Sequence, residues 1–417
     1  MNLVKFKYCD EFHCIGAECP DHCCKEWIIL IGKREYLDYK KAKCSQELKN
    51  TLNTSFERVR DHDKLGIKYN ERSNYSQIKL KEDGECPFHG TDGLCAIQKE
   101  LGEKALSHTC NTFPRLYGLV GDETLISGLK ITCPHVVDLL MSHPEGLEIT
   151  EEESENGNNI VKKDLFSIPT TAKKWQGYPQ YWTIKSAQID ILQNRNFIIP
   201  ERLLILGFFS KKADEYIETD KAEKIESLYK MLLDNEFCKS IVDSLKAPQS
   251  DDSAAAKSIN AFLKMYQVVM RYSKTNKLFE QTAQSVELES EKVFVDGEVQ
   301  VKYTYSMDRY FKNLDTFRKI EADRGYIFEN VLVNLAFIAP PNKGLFKSFF
   351  ELAIFYSILK ISLPAFLNEG WNDTDLALAI TNVAKMVLNT KLTEKVSEKD
   401  FVEHDSFDLP HIAFLIN

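Results

Sequence analysis

No glycine-x-glycine triplet occurs anywhere in the 417 residues. That excludes the glycine-rich phosphate turn by which doubly wound folds hold nucleotides. The N-terminal stretch MNLVKFKYCDEF lacks an apolar core of signal-peptide length, so no secretory signal is expected. Positive charge is not in excess: 53 lysines and arginines stand against 62 aspartates and glutamates, a net of −9. The balance argues against a nucleic-acid partner and suits a lysine-bearing one. No repeat of the solenoid kind is visible. The most apolar window, SFFELAIFYSILKISLPAFL, contains Glu351, Lys360 and Pro364. A membrane span rarely carries all three, so this window reads as a buried helix, with no membrane insertion.

What the chain does have is cysteine. Nine of its eleven cysteines fall between His13 and Pro134, and eight of these stand in stretches with glycine, proline, histidine and aspartate: Cys14, Cys19, Cys23, Cys24, Cys86, Cys95, Cys110 and Cys133. Without an export signal the expected compartment is the reducing cytoplasm, where dense cysteine signals metal or redox chemistry rather than disulfides. Adjacent Cys23 and Cys24 also suit disulfide geometry badly. Two thiolates a few residues apart can grip one ion, and distant thiolates complete its shell. Cys238, Cys9 and Cys44 read instead as buried free thiols.

A composition that is 43% apolar and 28% charged is ordinary for a globular protein. The pattern predicts an α+β protein with a small Cys-rich metal domain at 1–148, a linker at 149–159 and a mostly α-helical domain at 160–417. Within the first domain, Trp27–Ile31 reads as a buried strand and Lys33 to about Val59 as helical. RLYGLV and TLISGLKI read as a hairpin that delivers Cys133, with Pro134 opening a helix behind it. The acidic, then Asn/Gly-rich GLEITEEESENGNN supplies the linker. Beyond it, ERLLILGFFSKKADEYI, KIESLYKMLLDNEFCKSIVDSL, AAAKSINAFLKMYQVVMRY, RGYIFENVLVNLAFI and DTDLALAITNVAKMVLN space their apolar residues by three and four. The last helix is expected to be capped by Asp373 or Thr374. KVFVDGEVQVKYTY reads as a hairpin turning at Asp296-Gly297.

The passages CPDHCCKEW, GECPFHGTDGLCAIQKELGEKALSHTCNTFPR and ITCPH resemble the bacterial flagellin lysine-N-methylases. They also resemble the broader class of zinc- or iron-chelating CxxCxxCC-type domains. The resemblance covers about the first 140 residues. It implies S-adenosylmethionine-dependent methylation of flagellin lysines in the cytoplasm and an iron-sulfur cluster of the four-iron type; the helical domain is the candidate region for donor or substrate. The eight cysteines are the ligand candidates it carries over. Eight thiolates exceed the four that one zinc ion or one cubane needs, so either two metals bind or some of the eight only pack. His13, His22, His89, His108 and His135 lie near them and either ligate, support ligands or cap turns; His108 is the first to test. Arg115 holds a carboxylate, of the donor or of a neighbour.

The Cys-x3-Cys-x2-Cys arrangement of radical S-adenosylmethionine chemistry is incomplete, because Cys19-x3-Cys23 is followed by glutamate at position 26. Direct displacement by a neutral lysine amine needs no radical. Spacing names no catalytic base. Two readings therefore stand: a protein-lysine methyltransferase with an iron-sulfur cluster, and a non-catalytic zinc- or iron-binding interaction module.

Overall fold

A computed structural model describes residues 1–25, 27–60, 69–121, 124–154, 166–167, 175–245, 259, 262–263, 277–295, 298–341, 344–388 and 409–416. The chain forms two compact units, His13–Leu116 and Met1–Phe12 with Tyr117–Asn417. The opening strand β1 (Asn2–Phe6) thus belongs with the later part of the sequence. This differs from the expected 1–148 domain. The reason is long-range pairing of β1, which leaves no mark in the local pattern.

The cysteine unit holds β2 (Leu30–Ile31), α1 (Lys33–Lys41), α2 (Gln46–Thr54), β3 (Phe56–Arg58), β4 (Ser76–Ile78), α3 (Ala96–Leu101) and α4 (His108–Thr112). β4 pairs antiparallel with both β2 and β3, in registers that place Leu30 opposite Gln77 and Phe56 opposite Ile78. The expected Trp27–Ile31 strand shrinks to two residues. Extended chain alternates its faces, so Ile29 and Ile31 are buried while Ile28 is 54% exposed. The helical stretch from Lys33 breaks in two, because Ser45 restarts it as a cap whose Oγ accepts from the Leu48 N–H at 3.1 Å. α3 stops at Gly102, whose φ of +81° is left-handed. Ile29, Ile31, Leu48, Leu52, Ile78 and Phe88 form the core, with Cys24, Cys44, Cys95 and Cys110 packed against it.

In the larger unit follow β5 (Arg115–Val120), in which the chain passes between units, β6 (Thr124–Leu129), α5 (Pro134–Met141), β7 (Ile149–Glu153) and β8 (Phe166–Ser167). The sheet order is β7-β1-β6-β5-β8. β1 runs parallel to β6 and antiparallel to β7. The expected hairpin is present as neighbouring β5 and β6, with Gly121 at φ +64°. Ile149–Glu153 is an edge strand rather than linker. Its run of glutamates lacks apolar alternation because an edge strand faces water, where charge also blocks further pairing. Residues 155–159 of the expected linker lie outside the described residues.

The helices are α6 (Tyr181–Gln193), α7 (Ile199–Glu218), α8 (Lys224–Leu232), α9 (Asn235–Leu245) and α10 (Lys277–Ser285). Then come the hairpin β9 (Glu289–Val295) and β10 (Glu298–Thr304), α11 (Met307–Ile338), α12 (Leu345–Ser362), α13 (Asp373–Leu388) and α14 (Leu409–Ile416). Most of the helix expected from AAAKSINAFLKMYQVVMRY, and the turn at Asp296-Gly297, lie outside the described residues. α11 begins seventeen residues before the expected start at Arg324, capped by the Ser306 Oγ, and bends at Arg324 (φ −133°, ψ 33°). α13 is capped by Asn372 rather than by Asp373 or Thr374. Asn372 Oδ1 accepts from the Asp375 N–H at 3.1 Å, and Asp375 Oδ2 accepts from the Asn372 N–H at 3.0 Å. Leu345–Phe366 is long and apolar enough to cross a membrane, but 78% of its apolar window is buried inside the fold. It packs against α7, α11, α13 and α14, as a core helix does.

Candidate metal centre

The first cysteine loop and the loop before α3 are pressed together, and glycine allows it. A Cβ at Gly93 (φ +76°) would lie 3.1 Å from the Ala17 Cβ, and one at Gly16 (φ +56°) would lie 3.1 Å from Leu94 Cδ2. Backbone pairing continues the contact. The Cys86 N–H donates to the Cys24 carbonyl at 2.8 Å, Lys25 bridges Glu85, and His89 bridges Cys95. Cys110 enters from α4, where Ser107 caps the helix by accepting from the Cys110 N–H at 3.2 Å. Trp27 closes the edge, its ring 5.4 Å from Phe113.

Cys23, Cys24, Cys86, Cys95 and Cys110 come within electrostatic range of one another in this way. Cys24 hydrogen-bonds Cys23, which raises its pKa; burial and the charges of Cys23, Cys86 and Cys95 raise it further. Burial pushes Cys86 up to about 11. It pushes Cys110 up to about 12, with Cys23, Cys86 and Cys95 adding to the effect. Cys95 is raised by burial as well. Sulfurs this close oppose one another's ionisation, so they become thiolates together only with a compensating cation. Cys86 is buried, Cys24, Cys95 and Cys110 are half-buried and Cys23 is exposed. A sulfur-only donor set that outnumbers four fits a zinc ion or a cubane cluster by its chemistry. Four of Cys23, Cys24, Cys86, Cys95 and Cys110 would hold it.

The remaining predicted positions divide. Cys14 is exposed, and Cys19 feels the charges of Cys23 and Cys14 from the same loop. Cys133 belongs to the larger unit, where it is buried and forms the N-cap of α5 with Pro134 as first helical residue. The helix placement is as the sequence predicted. The His108 N–H donates to Glu35 Oε1 at 2.6 Å. His135 lies in the larger unit, 3.9 Å from Asp138. His22 and His89, far apart in sequence, lie with ring centroids 3.9 Å apart and planes tilted by 31°, and Glu85 lies against both. Glu85 carries no signal in the sequence except its place beside Cys86. Cys238 is buried, its Sγ 3.2 Å from the Leu232 carbonyl, as expected of a structural thiol.

Residues 186–415 match the model of the FliB lysine N-methylase C-terminal domain. The chain belongs to the FliB lysine N-methylase family. The match lies wholly on the helical part, whereas the cysteine motifs that resemble flagellin lysine-N-methylases lie in the first third. Two separate stretches thus point to one family. The flagellar biosynthetic protein FliU of Salmonella muenchen is 33% identical over 153 residues, 36% of this chain and 84% of that protein. The lysine-N-methylase of Salmonella typhimurium is 36% identical over 227 residues, 54% of this chain and 51% of that protein. That of Salmonella choleraesuis is 34% identical over the same shares. The chain spans about half the length of the two lysine-N-methylases. No solved structure matches this FliB-family chain.

Proposed function

We propose that this FliB-family chain is a protein-lysine N-methyltransferase that takes its methyl group from S-adenosylmethionine, acts on flagellin in the cytoplasm, and holds a four-iron cluster on the gathered thiols. The observation that carries the reading is the family match across residues 186–415. The five-thiol set supports the cofactor assignment by its chemistry. In the transfer, the neutral lysine amine forms a new N–C bond to the sulfonium methyl. The C–S bond breaks with its electron pair going to sulfur, and the ammonium then loses a proton to solvent or a base. A lysine amine must be neutral to attack, so the site has to strip it of water and proton first.

The test is a methylation assay with anaerobically purified protein, flagellin from the same cell and labelled donor. Expected are a brown protein with the broad visible absorption of a thiolate-bound cluster, label on flagellin lysines, and loss of both in a Cys23→Ala/Cys24→Ala variant. A colourless protein with stoichiometric zinc that leaves flagellin unlabelled would overturn it in favour of a zinc-bound interaction module.

A further inference from the structure

We propose that His22, Glu85 and His89 form a second metal site, separate from the thiols, that takes a divalent ion of the zinc class. One donor atom from each lies within 4.8 Å of the others. Glu85 Oε2 stands 3.6 Å from His22 Nε2 and 3.5 Å from His89 Nδ1. Those separations are too long for hydrogen bonds. They are close to the spacing of about 3.3 Å that bonds of 2.0–2.1 Å impose on two ligands of a tetrahedral zinc ion.

The hydrogen-bond accounting points the same way. Glu85 Oε2, which faces His22 Nε2 and His89 Nδ1, is buried and has no hydrogen-bond partner; the opposite ring nitrogens, His22 Nδ1 and His89 Nε2, are buried without a partner as well. A buried carboxylate oxygen facing two imidazoles without a proton between them is costly, and a bound cation removes that cost. Burial distinguishes this site from the thiol set. Cys86 belongs to the buried core, while the side chain of its neighbour Glu85 stays 29% exposed. His22 comes from the first cysteine loop, and Glu85 and His89 from the second. An ion here therefore ties the two loops together independently of sulfur. Two imidazoles and one carboxylate leave a fourth position for water or a donor atom of a substrate, as in open zinc sites.

Bound metal is counted in the full chain after dialysis against zinc, and cobalt(II) serves as the spectroscopic probe. The His22→Gln/His89→Gln variant is expected to lose one equivalent of zinc. It should also lose the cobalt d–d absorption of the nitrogen- and oxygen-bound ion while keeping the metal, iron or zinc, that the thiols hold. Unchanged stoichiometry overturns the proposal. So does loss of the thiol-bound metal from a folded variant, since the histidines would then serve the thiol centre. Should the double variant fail to fold, Glu85→Gln, which keeps size and shape, carries the test by circular dichroism and zinc titration. At least tenfold weaker zinc binding at the sulfur-free site supports the proposal, and parental affinity overturns it. None of these readouts depends on methyl transfer, so they stand apart from the proposed activity.

Discussion

Lys360 sits fully inside the helical core, its Nζ without a hydrogen-bond partner and 5.7 Å from the centre of the Tyr356 ring. Burial lowers its pKa from 10.5 to about 7; Glu321 acts against that shift and Arg318 adds to it. Nearby, Tyr356 donates to Glu321 Oε1 at 2.5 Å, and burial raises the Glu321 pKa. Between pH 7 and 10.5 the unfolded chain holds the Lys360 proton and the folded chain does not, so this residue makes stability rise with pH across that window. Lys360→Met is expected to stabilise the protein by about 1–4 kcal/mol at pH 6, where the parent buries a charge, and by less at pH 9.5. Urea midpoints at the two pH values check it, and an advantage that grows with pH would refute it. The opposite case is Glu329, 2% exposed, which accepts from Arg202 Nη1 at 2.6 Å and Arg195 Nη2 at 2.9 Å. Glu329→Gln removes the negative charge and leaves the Arg202 guanidinium buried among neutral acceptors, the Leu192 and Phe197 carbonyls and an amide oxygen. A loss of about 3–5 kcal/mol is expected in the same titration; a loss under about 1 kcal/mol would show that the neutral acceptors suffice.

Among the elements, α11 joins sheet and helices through two buried asparagines one turn apart. Asn334 Nδ2 donates to the Leu129 carbonyl at 2.9 Å and its Oδ1 accepts from the Tyr8 hydroxyl at 2.7 Å. Asn330 Nδ2 donates to the Leu140 and His143 carbonyls at 2.9 and 2.8 Å. The close approach needs Gly128 in β6, because a Cβ there would fall 2.2 Å from Ile338 Cγ2. Gly128→Ala should therefore destabilise by about 1–3 kcal/mol through overpacking. A thermal melt reads it, and an unchanged midpoint would mean that Ile338 gives way freely. How far these elements were legible follows from the range of the interactions that make them. Helices with apolar residues at three and four, the Pro134 start and the β5–β6 turn are local and were readable. The first half of α11 also carried its signal, with Tyr310, Leu314, Phe317 and Ile320 on one face, yet the charges between them masked it. The pairing of β1 with β6 and β7, and the strand nature of Ile149–Glu153, depend on partners more than a hundred residues away. The cysteines show the same limit. Spacing singled out the cysteines, but the proximity of five of them, the place of Cys133 in the larger unit and the position of Glu85 between two histidines arise only once loops fold on one another.

For the molecule as a whole, the two units differ in what holds them together. The larger unit has a continuous apolar interior built from α6, α7, α11, α12 and α13, whose central helices are buried on nearly every side. Among its described residues the cysteine unit has short helices, strands of two or three residues, and a core of nine buried side chains that includes Cys86. A core of that size supplies little stability beyond the conformational entropy it must offset, so small domains of this kind lean on metal. Ligand binding adds RT ln(1 + [L]/Kd) to the stability of the unit that binds and nothing directly to the other. Removal of metal by a chelator under anaerobic conditions should therefore speed amide exchange across β2, β4 and α3 by at least tenfold, while protection in α11 and α12 stays as it was. Hydrogen exchange read by mass spectrometry distinguishes the outcomes. Equal loss of protection in both units would mean that they unfold as one cooperative body. No loss in either would mean that the thiols pack as an ordinary apolar core, and the metal centre would have to be given up.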